Sequence, residues 1–334
     1  MKNLAHQTKV FVTRDIPGMG IEMLKHEGFD VSVWPEDRPM KPDELIQAGK
    51  GANAMLTLLT DRIDKTFLQE CKHLDIISQY SVGYDNIDIN EATTFGIPIG
   101  YAPGAMSDAT ADVAFGLMIA VSRKMFYMHK SISKGEWTFF KPKANLGIEL
   151  KNKILGILGL GRIGLQMAIR CRGAYNMQVI YHNRKRNTEA ERTLNARLVS
   201  LDDLLKQSDV LSVHCALNDE TRGMFNKMIF SKMKPTAIFI NTARGAIHNE
   251  HDLFDVLNNG IIWGAGLDVT NPEPMNAKNP LLSMPNVAVL PHIGSATEEA
   301  RGEMSRLAAL NIVEFYKHRK IPNLVNPEVR IVSK

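Results

Sequence analysis

The 334-residue chain has few of the features that mark several classes of protein. Its three cysteines, Cys71, Cys171 and Cys215, show no paired spacing, which excludes a disulfide framework and a zinc knuckle and predicts reduced, mostly buried thiols. The longest strongly apolar run, 113–121, is far shorter than the roughly 20 residues that cross a bilayer. Residues 1–10 lack the apolar stretch of a signal peptide. We therefore expect a cytoplasmic protein.

An excess of one charge sign is also missing. Forty basic and 36 acidic residues give a net charge of +4. The densest basic run, Arg184-Lys185-Arg186, is too short for a nucleic-acid surface, although it could hold one phosphate. We expect a small-molecule ligand, with no nucleic-acid or membrane partner. The length and the 44% hydrophobic content predict two globular domains.

Apolar strand-like segments alternate with helical ones along the whole chain, which is typical of parallel sheets covered by helices. Predicted strands occupy 9–13, 30–34, 52–59, 74–79 and 97–100, then 154–160, 178–183, 209–216, 237–242, 261–269 and 287–291. A helix over 108–124 and a loop-rich stretch over 133–150 separate the two series, and a last helix covers 296–318. The stretch 133–150 is either a binding lid or a subunit-contact arm. The pattern predicts an α/β fold with two doubly wound sheets.

A glycine run, Gly159-Leu160-Gly161-Arg162-Ile163-Gly164, follows one predicted strand and opens a helix. The first glycine permits a tight turn, the second lets the backbone approach a pyrophosphate, and the third lets the helix pack on the strand. Glycines also mark ordinary turns, but the strand before and the helix after favour dinucleotide binding.

The end of the next strand predicts which dinucleotide is preferred. Chains that prefer NAD usually carry an acid there for the ribose 2′-hydroxyl. Here Asn183 is followed by Arg184 and Lys185, which can attract a 2′-phosphate. A solvated basic turn is the alternative. We expect NADP to be preferred, with NAD possible.

Three later strand ends carry Arg244, Glu273 and His292. Ligands of doubly wound sheets bind beyond the carboxyl ends of the strands, so these side chains could reach one crevice. Arg244 can bind a carboxylate, His292 can donate a proton, and Glu273 can orient the imidazole. Each residue alone could be structural; together, after a dinucleotide motif, they favour hydride transfer to a 2-oxo acid.

These residues belong to a series of motifs that resembles the D-isomer-specific 2-hydroxyacid dehydrogenases, most closely their glyoxylate/hydroxypyruvate reductase branch. The matching stretches are 81–88, 108–112, 156–164, 214–222, 241–245, 267–274 and 291–297. The resemblance implies a Rossmann-type cofactor domain, 104–297, inserted into a flavodoxin-like catalytic domain, 1–103 and 298–334. It also implies a homodimer, joined through the helix and loop that follow about residue 108.

The resemblance also assigns roles to residues. Arg244, Glu273 and His292 would be catalytic, and Val82 and Gly83 would bind the substrate carboxylate beside Arg244. The expected cofactor contacts are Thr110, Gly159, Leu160, Gly161, Arg162, Ile163, Gly164, Asn183, Arg184, Lys185, Cys215, Ala216, Thr221, Thr242, Ala243, Asp268, His292 and Gly294.

Four residues depart from the family pattern. Ala216 stands where proline is common, and Phe140 stands where the branch often has a second tryptophan, so substrate preference is open. His248 and Asn249 replace the usual valine and acid. His248, Glu250 and His251 lack the spacing of a metal site, so we expect no metal and a helix start capped by Asn249.

The sequence thus predicts an NADPH-dependent reductase of a small 2-oxo acid such as glyoxylate, hydroxypyruvate or 2-ketogluconate. The competing hypothesis is a non-catalytic dinucleotide sensor whose dimer recruits other proteins. A family member acting on phosphite or formate is a third hypothesis, which the absence of extra motifs disfavours.

Overall fold

The computed structural model describes residues 8–330. The expectation of no signal peptide concerns mainly residues 1–7, which lie outside this range, as do residues 331–334. Internal contacts divide the chain into two compact units, one ending at Met106 and resuming at Ala296, the other spanning Ser107–Ser295. The predicted boundaries, 103/104 and 297/298, lie two or three residues from these. The assignment of one domain to substrate and the other to cofactor stays a prediction.

The first unit is built around a five-stranded parallel sheet. Its strands are β1 (Lys9–Val12), β2 (Asp30–Val33), β3 (Ala54–Thr57), β4 (Ile76–Gln79) and β5 (Ile99–Gly100), and its helices are α1 (Gly20–His26), α2 (Pro42–Lys50), α3 (Lys65–Glu70), α4 (Ile89–Thr94) and α12 (Glu298–His318). The strand order β2-β1-β3-β4-β5 is flavodoxin-like and reverses between β1 and β3. Ligands of such sheets bind at the carboxyl ends of the strands beside this reversal.

The second unit contains a seven-stranded parallel sheet. Its strands are β6 (Ile154–Leu158), β7 (Gln178–His182), β8 (Arg197–Leu198), β9 (Val210–Val213), β10 (Ile238–Asn241), β11 (Gly264–Leu267) and β12 (Val287–Val289). Its α-helices are α5 (Ser107–Ser122), α6 (Met125–Ser133), α7 (Arg162–Tyr175), α8 (Thr188–Leu194), α9 (Leu201–Gln207), α10 (Lys227–Phe230) and α11 (Glu250–Asn258), with 3-10 turns at Gly245–Ile247 and Pro280–Ser283.

The order of this sheet, β12-β11-β10-β9-β6-β7-β8, is the Rossmann order extended by one strand. Strands β9, β10 and β11 are buried along their whole length, as expected of parallel strands covered on both faces. The predicted fold class is confirmed. The order also makes β10, β11 and β12 neighbours, so their carboxyl ends share one edge of the sheet.

The predicted helix over 108–124 was too long. Helix α5 ends at Ser122, Lys124 is left-handed with φ 55°, and α6 begins at Met125. The carbonyl of Ser122 accepts a hydrogen bond from the Ile148 N–H at 3.0 Å, so a segment far along the chain contacts the end of α5. Helix α6 continues the helical structure to Ser133, the first residue of the predicted loop-rich stretch 133–150.

Among residues 8–330, no helix combines the length and the apolar character that crossing a bilayer requires. Cys71 and Cys171 are buried and Cys215 is half-buried, and none of the three is in a disulfide, which confirms the prediction of reduced, mostly buried thiols.

Candidate active site

The glycine run forms the turn between β6 and α7. Gly159 has φ 91°, and a Cβ there would lie 2.6 Å from the backbone nitrogen of Cys215. A Cβ on Gly164 would meet the Gly159 carbonyl oxygen at 3.0 Å. A Cβ on Gly161 would meet no atom within 4 Å. Gly159 therefore permits close approach to the backbone after β9, Gly164 permits close packing of helix on strand, and Gly161 leaves open space in front of the helix.

The start of α7 fits a pyrophosphate. Gly161 is the N-cap residue, and no side chain caps the helix. Its first N–H groups are therefore available to an anion, which the helix dipole also favours. Arg162 is exposed at the same end, and Ile163 is half-buried beside it.

Asn183 holds the glycine turn from the next strand. Its Oδ1 accepts from the Leu160 N–H at 2.6 Å, and its Nδ2 donates to the Leu160 carbonyl at 3.1 Å. Asn187 donates to the same carbonyl at 3.0 Å. One hydrogen of the Asn183 amide is left for a ligand. Asn187 thus also stabilises the glycine turn, a role that the sequence motifs did not reveal.

The three basic residues after Asn183 differ in their surroundings. Arg186 forms an ion pair with Glu191 at 2.8 Å, and Glu191 also accepts from the Tyr181 hydroxyl at 2.6 Å. Arg184 and Lys185 are exposed and form no hydrogen bond or ion pair within the part of the chain that the structure describes. Arg184 and Lys185 are therefore available to an anion beside the turn, whereas Arg186 is already paired.

The predicted adenosine wall follows β9. Burial raises the pKa of the Cys215 thiol to about 11, so this group is neutral. Ala216 is exposed, and its carbonyl accepts from the Thr221 hydroxyl at 2.8 Å. Just before them, His214 bonds Ser212 at 2.8 Å, and burial lowers the pKa of its imidazole to about 4. This wall presents neutral groups.

Glu273 and His292 are in direct contact, with 2.5 Å between Oε1 and Nδ1. Both side chains are partly exposed, at 38% and 26%. His292 has φ 53°, a left-handed conformation that is uncommon for residues other than glycine. The contact leaves the Nε2 atom of His292 for a substrate. Backbone strain at such a residue often marks a functional site.

Asp268 holds the backbone around His292. Its two carboxylate oxygens accept from the N–H groups of Ile293 and Gly294, each at 2.8 Å, and its carbonyl accepts from the His292 N–H at 2.9 Å. Burial raises the pKa of the Asp268 carboxyl, and the two N–H groups oppose that shift. Thr110 donates to the Gly294 carbonyl at 3.0 Å. The structure thus brings Thr110, Asp268, His292 and Gly294 together.

Arg244 follows β10, on the strand next to β11. Its side chain is half-buried and donates through Nη1 to the Ala243 carbonyl at 2.8 Å. The Thr242 hydroxyl is buried and has no hydrogen-bond partner in residues 8–330. Such a group fits a bound ligand, because buried polar atoms are nearly always paired. Arg244, Thr242 and Ala243 therefore line the same strand end.

Val82 and Gly83 lie after β4 in the first unit. The Gly83 carbonyl accepts from the Ser81 hydroxyl at 2.5 Å and from Gln79 at 3.4 Å. Gln79, buried, also bonds Asn86 at 3.0 Å, so a side-chain network holds the loop. The N–H groups of Val82 and Gly83 have no partner in the described part of the chain. These N–H groups can therefore donate hydrogen bonds to an anion.

The segment after Arg244 forms no metal site. Asn249 caps α11 by accepting from the Asp252 N–H at 3.1 Å, which confirms the predicted cap. His248 is buried, and Glu250 accepts from the Asn271 N–H at 2.6 Å. His251 is exposed. Within residues 8–330, no group of three or more His, Cys, Asp or Glu side chains could hold a metal ion.

Glu250 and Asn241 are functional candidates that the sequence motifs did not single out. Glu250 steadies the loop that leads to Glu273, and Asn241 bonds the backbone next to Arg244. The sequence signal for Asn241 was its place at the end of the strand that leads to Arg244. Glu250 had no such signal, because its hydrogen-bond partners lie 21 and 29 residues further along the chain.

Comparison with known proteins agrees with this geometry. Residues 115–294 match the family model described as D-isomer specific 2-hydroxyacid dehydrogenase, NAD binding domain. The glyoxylate reductase of Thermococcus litoralis is 43% identical over 325 residues, which cover 96% of this chain and 97% of that protein.

Two solved structures share the fold over nearly the whole chain. A glyoxylate reductase from Paecilomyes thermophila has a TM-score of 0.86 and 34% identity, covering 97% of this chain and 99% of its own. An acyclic imino acid reductase, solved in complex with NADPH and D-Arg, has a TM-score of 0.84 and 27% identity, covering 95% and 100%. The chain therefore belongs to the family of D-isomer specific 2-hydroxyacid dehydrogenases.

Proposed function

We propose that this protein reduces a small 2-oxo acid to the D-2-hydroxy acid and prefers NADPH to NADH. The observation that carries the proposal is the Glu273–His292 pair at 2.5 Å, at the sheet edge that Arg244 shares. The glyoxylate reductase relative supports glyoxylate as the first substrate to test, followed by hydroxypyruvate and 2-ketogluconate.

The chemistry that a nicotinamide would supply when bound here is a hydride for the carbonyl carbon of the substrate. Arg244 binds the substrate carboxylate and polarises the carbonyl, because its guanidinium offers parallel N–H donors. His292 donates the proton on Nε2 to the developing alkoxide. Glu273 fixes the ring and stabilises the imidazolium before that transfer. The N–H groups of Val82 and Gly83 also bind the carboxylate.

We assign the cofactor contacts to groups of the second unit at the glycine turn and at the strand ends. The segment Gly159–Gly164 and the start of α7 bind the pyrophosphate. The buried Thr242 hydroxyl, Ala243, Thr110, Asp268 and Gly294 lie at the nicotinamide end, and Cys215, Ala216 and Thr221 lie beside the adenosine. The unpaired cations of Arg184 and Lys185, with the remaining amide hydrogen of Asn183, support binding of a 2′-phosphate.

The test is the loss of NADPH absorbance when each 2-oxo acid is added, repeated with NADH. We expect turnover with at least one acid and a lower KM for NADPH. A His292→Gln variant should bind NADPH and lose turnover. If the wild-type protein binds cofactor but reduces none of these acids, the sensor hypothesis replaces the enzyme hypothesis.

The segment 134–150, here called the arm, supports a homodimer. It exposes Trp137, Phe139 and Phe140, the last at 84%. Large aromatic side chains clustered on a surface commonly mark a protein interface. Sedimentation of the wild-type protein should give twice the mass of one chain, and a Phe140→Asp variant should shift the equilibrium toward the monomer.

A further inference from the structure

We propose that His248 is a positioning residue for Arg244 and acts through Asn241. The inference rests on the proposed role of Arg244 in binding the substrate carboxylate. Asn241 ends β10, and His248 lies just beyond the 3-10 turn that follows Arg244. Two hydrogen bonds join the Asn241 side chain to the backbone that carries the guanidinium, and a third joins Asn241 to His248.

The orientation of the Asn241 amide follows from its backbone partners. Its Oδ1 accepts from the Ala243 N–H at 3.0 Å, and its Nδ2 donates to the Arg244 carbonyl at 2.9 Å. A backbone N–H only donates and a backbone carbonyl only accepts, so the amide cannot be flipped. The second hydrogen of Nδ2 points to Nδ1 of His248, 3.0 Å away.

This orientation determines the state of His248. Because Nδ2 of Asn241 donates, Nδ1 of His248 has to accept, and the proton of the neutral ring lies on Nε2. The imidazole is 1% exposed, and burial lowers its pKa to about 4. Phe239 packs against the ring at 5.9 Å between centroids, and burial is the cause of the lowered pKa, with no charged neighbour contributing.

A purely structural role does not explain this histidine. Its Nε2 atom is buried without a hydrogen-bond partner among the described residues. An unpaired buried donor is unfavourable for folding, and an apolar side chain would avoid that penalty. The ring does supply the one acceptor that holds the second amide hydrogen of Asn241.

The arrangement acts on Arg244 because the backbone there is tightly constrained. A Cβ on the following residue, Gly245, would overlap the Thr270 carbonyl, so the turn packs directly against the segment after β11. The guanidinium itself bonds the Ala243 carbonyl. Rotation of the Asn241 amide would release both the Ala243 N–H and the Arg244 carbonyl, and the guanidinium would lose its orientation.

The test compares His248→Leu, which removes the acceptor, with His248→Gln, which offers an oxygen in its place. Binding of oxalate, a dicarboxylate analogue of glyoxylate, to the NADP-loaded proteins is measured by calorimetry. We expect His248→Leu to weaken oxalate binding about tenfold, with NADP affinity unchanged. His248→Gln should restore most of the oxalate affinity.

Wild-type oxalate affinity in His248→Leu, or equal losses in both variants, would overturn the inference. Should the leucine variant not fold, nitrogen NMR of the wild-type imidazole decides: a proton on Nδ1 contradicts the inference, and one on Nε2 supports it. Neither measurement needs turnover. Failure of the proposed function, seen as no reduction of any 2-oxo acid, is therefore a separate result.

Discussion

At the scale of single residues, Glu273 contacts the His292 ring, and in the proposed reaction it would act on the substrate through that ring. A Glu273→Gln variant keeps an acceptor for Nδ1–H but removes the negative charge that stabilises the imidazolium. We expect kcat to fall about a hundredfold, with the affinity for NADPH unchanged. Stopped-flow reduction of glyoxylate checks this. A kcat equal to that of the wild type would show that the charge of Glu273 is not needed.

The basic residues after β7 allow a matched comparison for cofactor choice. Arg184 is exposed and has no partner in residues 8–330, whereas Arg186 is paired with Glu191. Loss of a charge-assisted phosphate contact should raise the KM for NADPH roughly tenfold to a hundredfold in Arg184→Gln. The KM for NADH should not change.

Arg186→Gln is the control for that comparison, and we expect both KM values to stay near the wild-type ones. An equal effect of the two substitutions would mean that general charge, and not a specific contact, attracts the cofactor. Better use of NADH than of NADPH by the wild-type protein would contradict the assignment of Arg184.

At the scale of elements, two glycines of helix α7 and its cap have room for a side chain: an added Cβ would meet nothing within 4 Å at Gly161, the N-cap, or at Gly173, inside the helix. Gly161→Ala should fill the space in front of the helix and weaken NADPH binding at least about tenfold. Gly173→Ala should leave binding unchanged and stabilise the helix by about 0.5–1 kcal/mol. Fluorescence titration measures the NADPH affinity, and denaturant unfolding measures the stability.

Equal NADPH affinity in the two glycine variants would show that the turn before α7 does not approach the cofactor. Loss of folding in Gly161→Ala is not expected, because its Cβ has room in the protein alone.

The break between α5 and α6 shows why sequence patterns predict element bounds poorly. Residues 107–133 carry a nearly continuous helical pattern, and the break at Lys124 coincides with a hydrogen bond from Ile148, which is 26 positions from Ser122. Helix α6 buries no residue, so its sequence shows no clear core-facing stripe. The other strand positions were predictable because their buried runs are local, whereas β8, whose two residues are exposed, was not predicted.

At the scale of the whole molecule, two buried histidines make stability depend on pH. Burial lowers the pKa of His214 and of His248 from 6.5 to about 4. Between these values the unfolded chain binds more protons than the folded one, so the free energy of unfolding rises with pH. Each histidine should remove about 3 kcal/mol as pH falls from 6.5 to 4.

Denaturant unfolding of the wild type and of His248→Gln, measured across this pH range, gives the contribution of His248 alone. The comparison is needed because burial also raises the pKa of carboxyls such as Asp61 and Asp268, which affect stability in the same range. The variant should lose roughly half of the histidine-dependent slope. The exposed residue His129, replaced by glutamine, is the control and should leave the slope as it is. An unchanged slope in His248→Gln would show that His248 does not titrate in this range.

Sequence patterns were sufficient to predict the fold class, the glycine turn and the order of Arg244, Glu273 and His292 at strand ends. Each of these follows from short segments whose periodicity and turn chemistry are local. Which polar groups are already engaged is seen in the folded chain alone, because their partners lie on other segments. Arg186 is paired with Glu191, and Asn183 is bonded to the glycine turn. The buried ring of His248 contacts the amide of Asn241 beside Arg244.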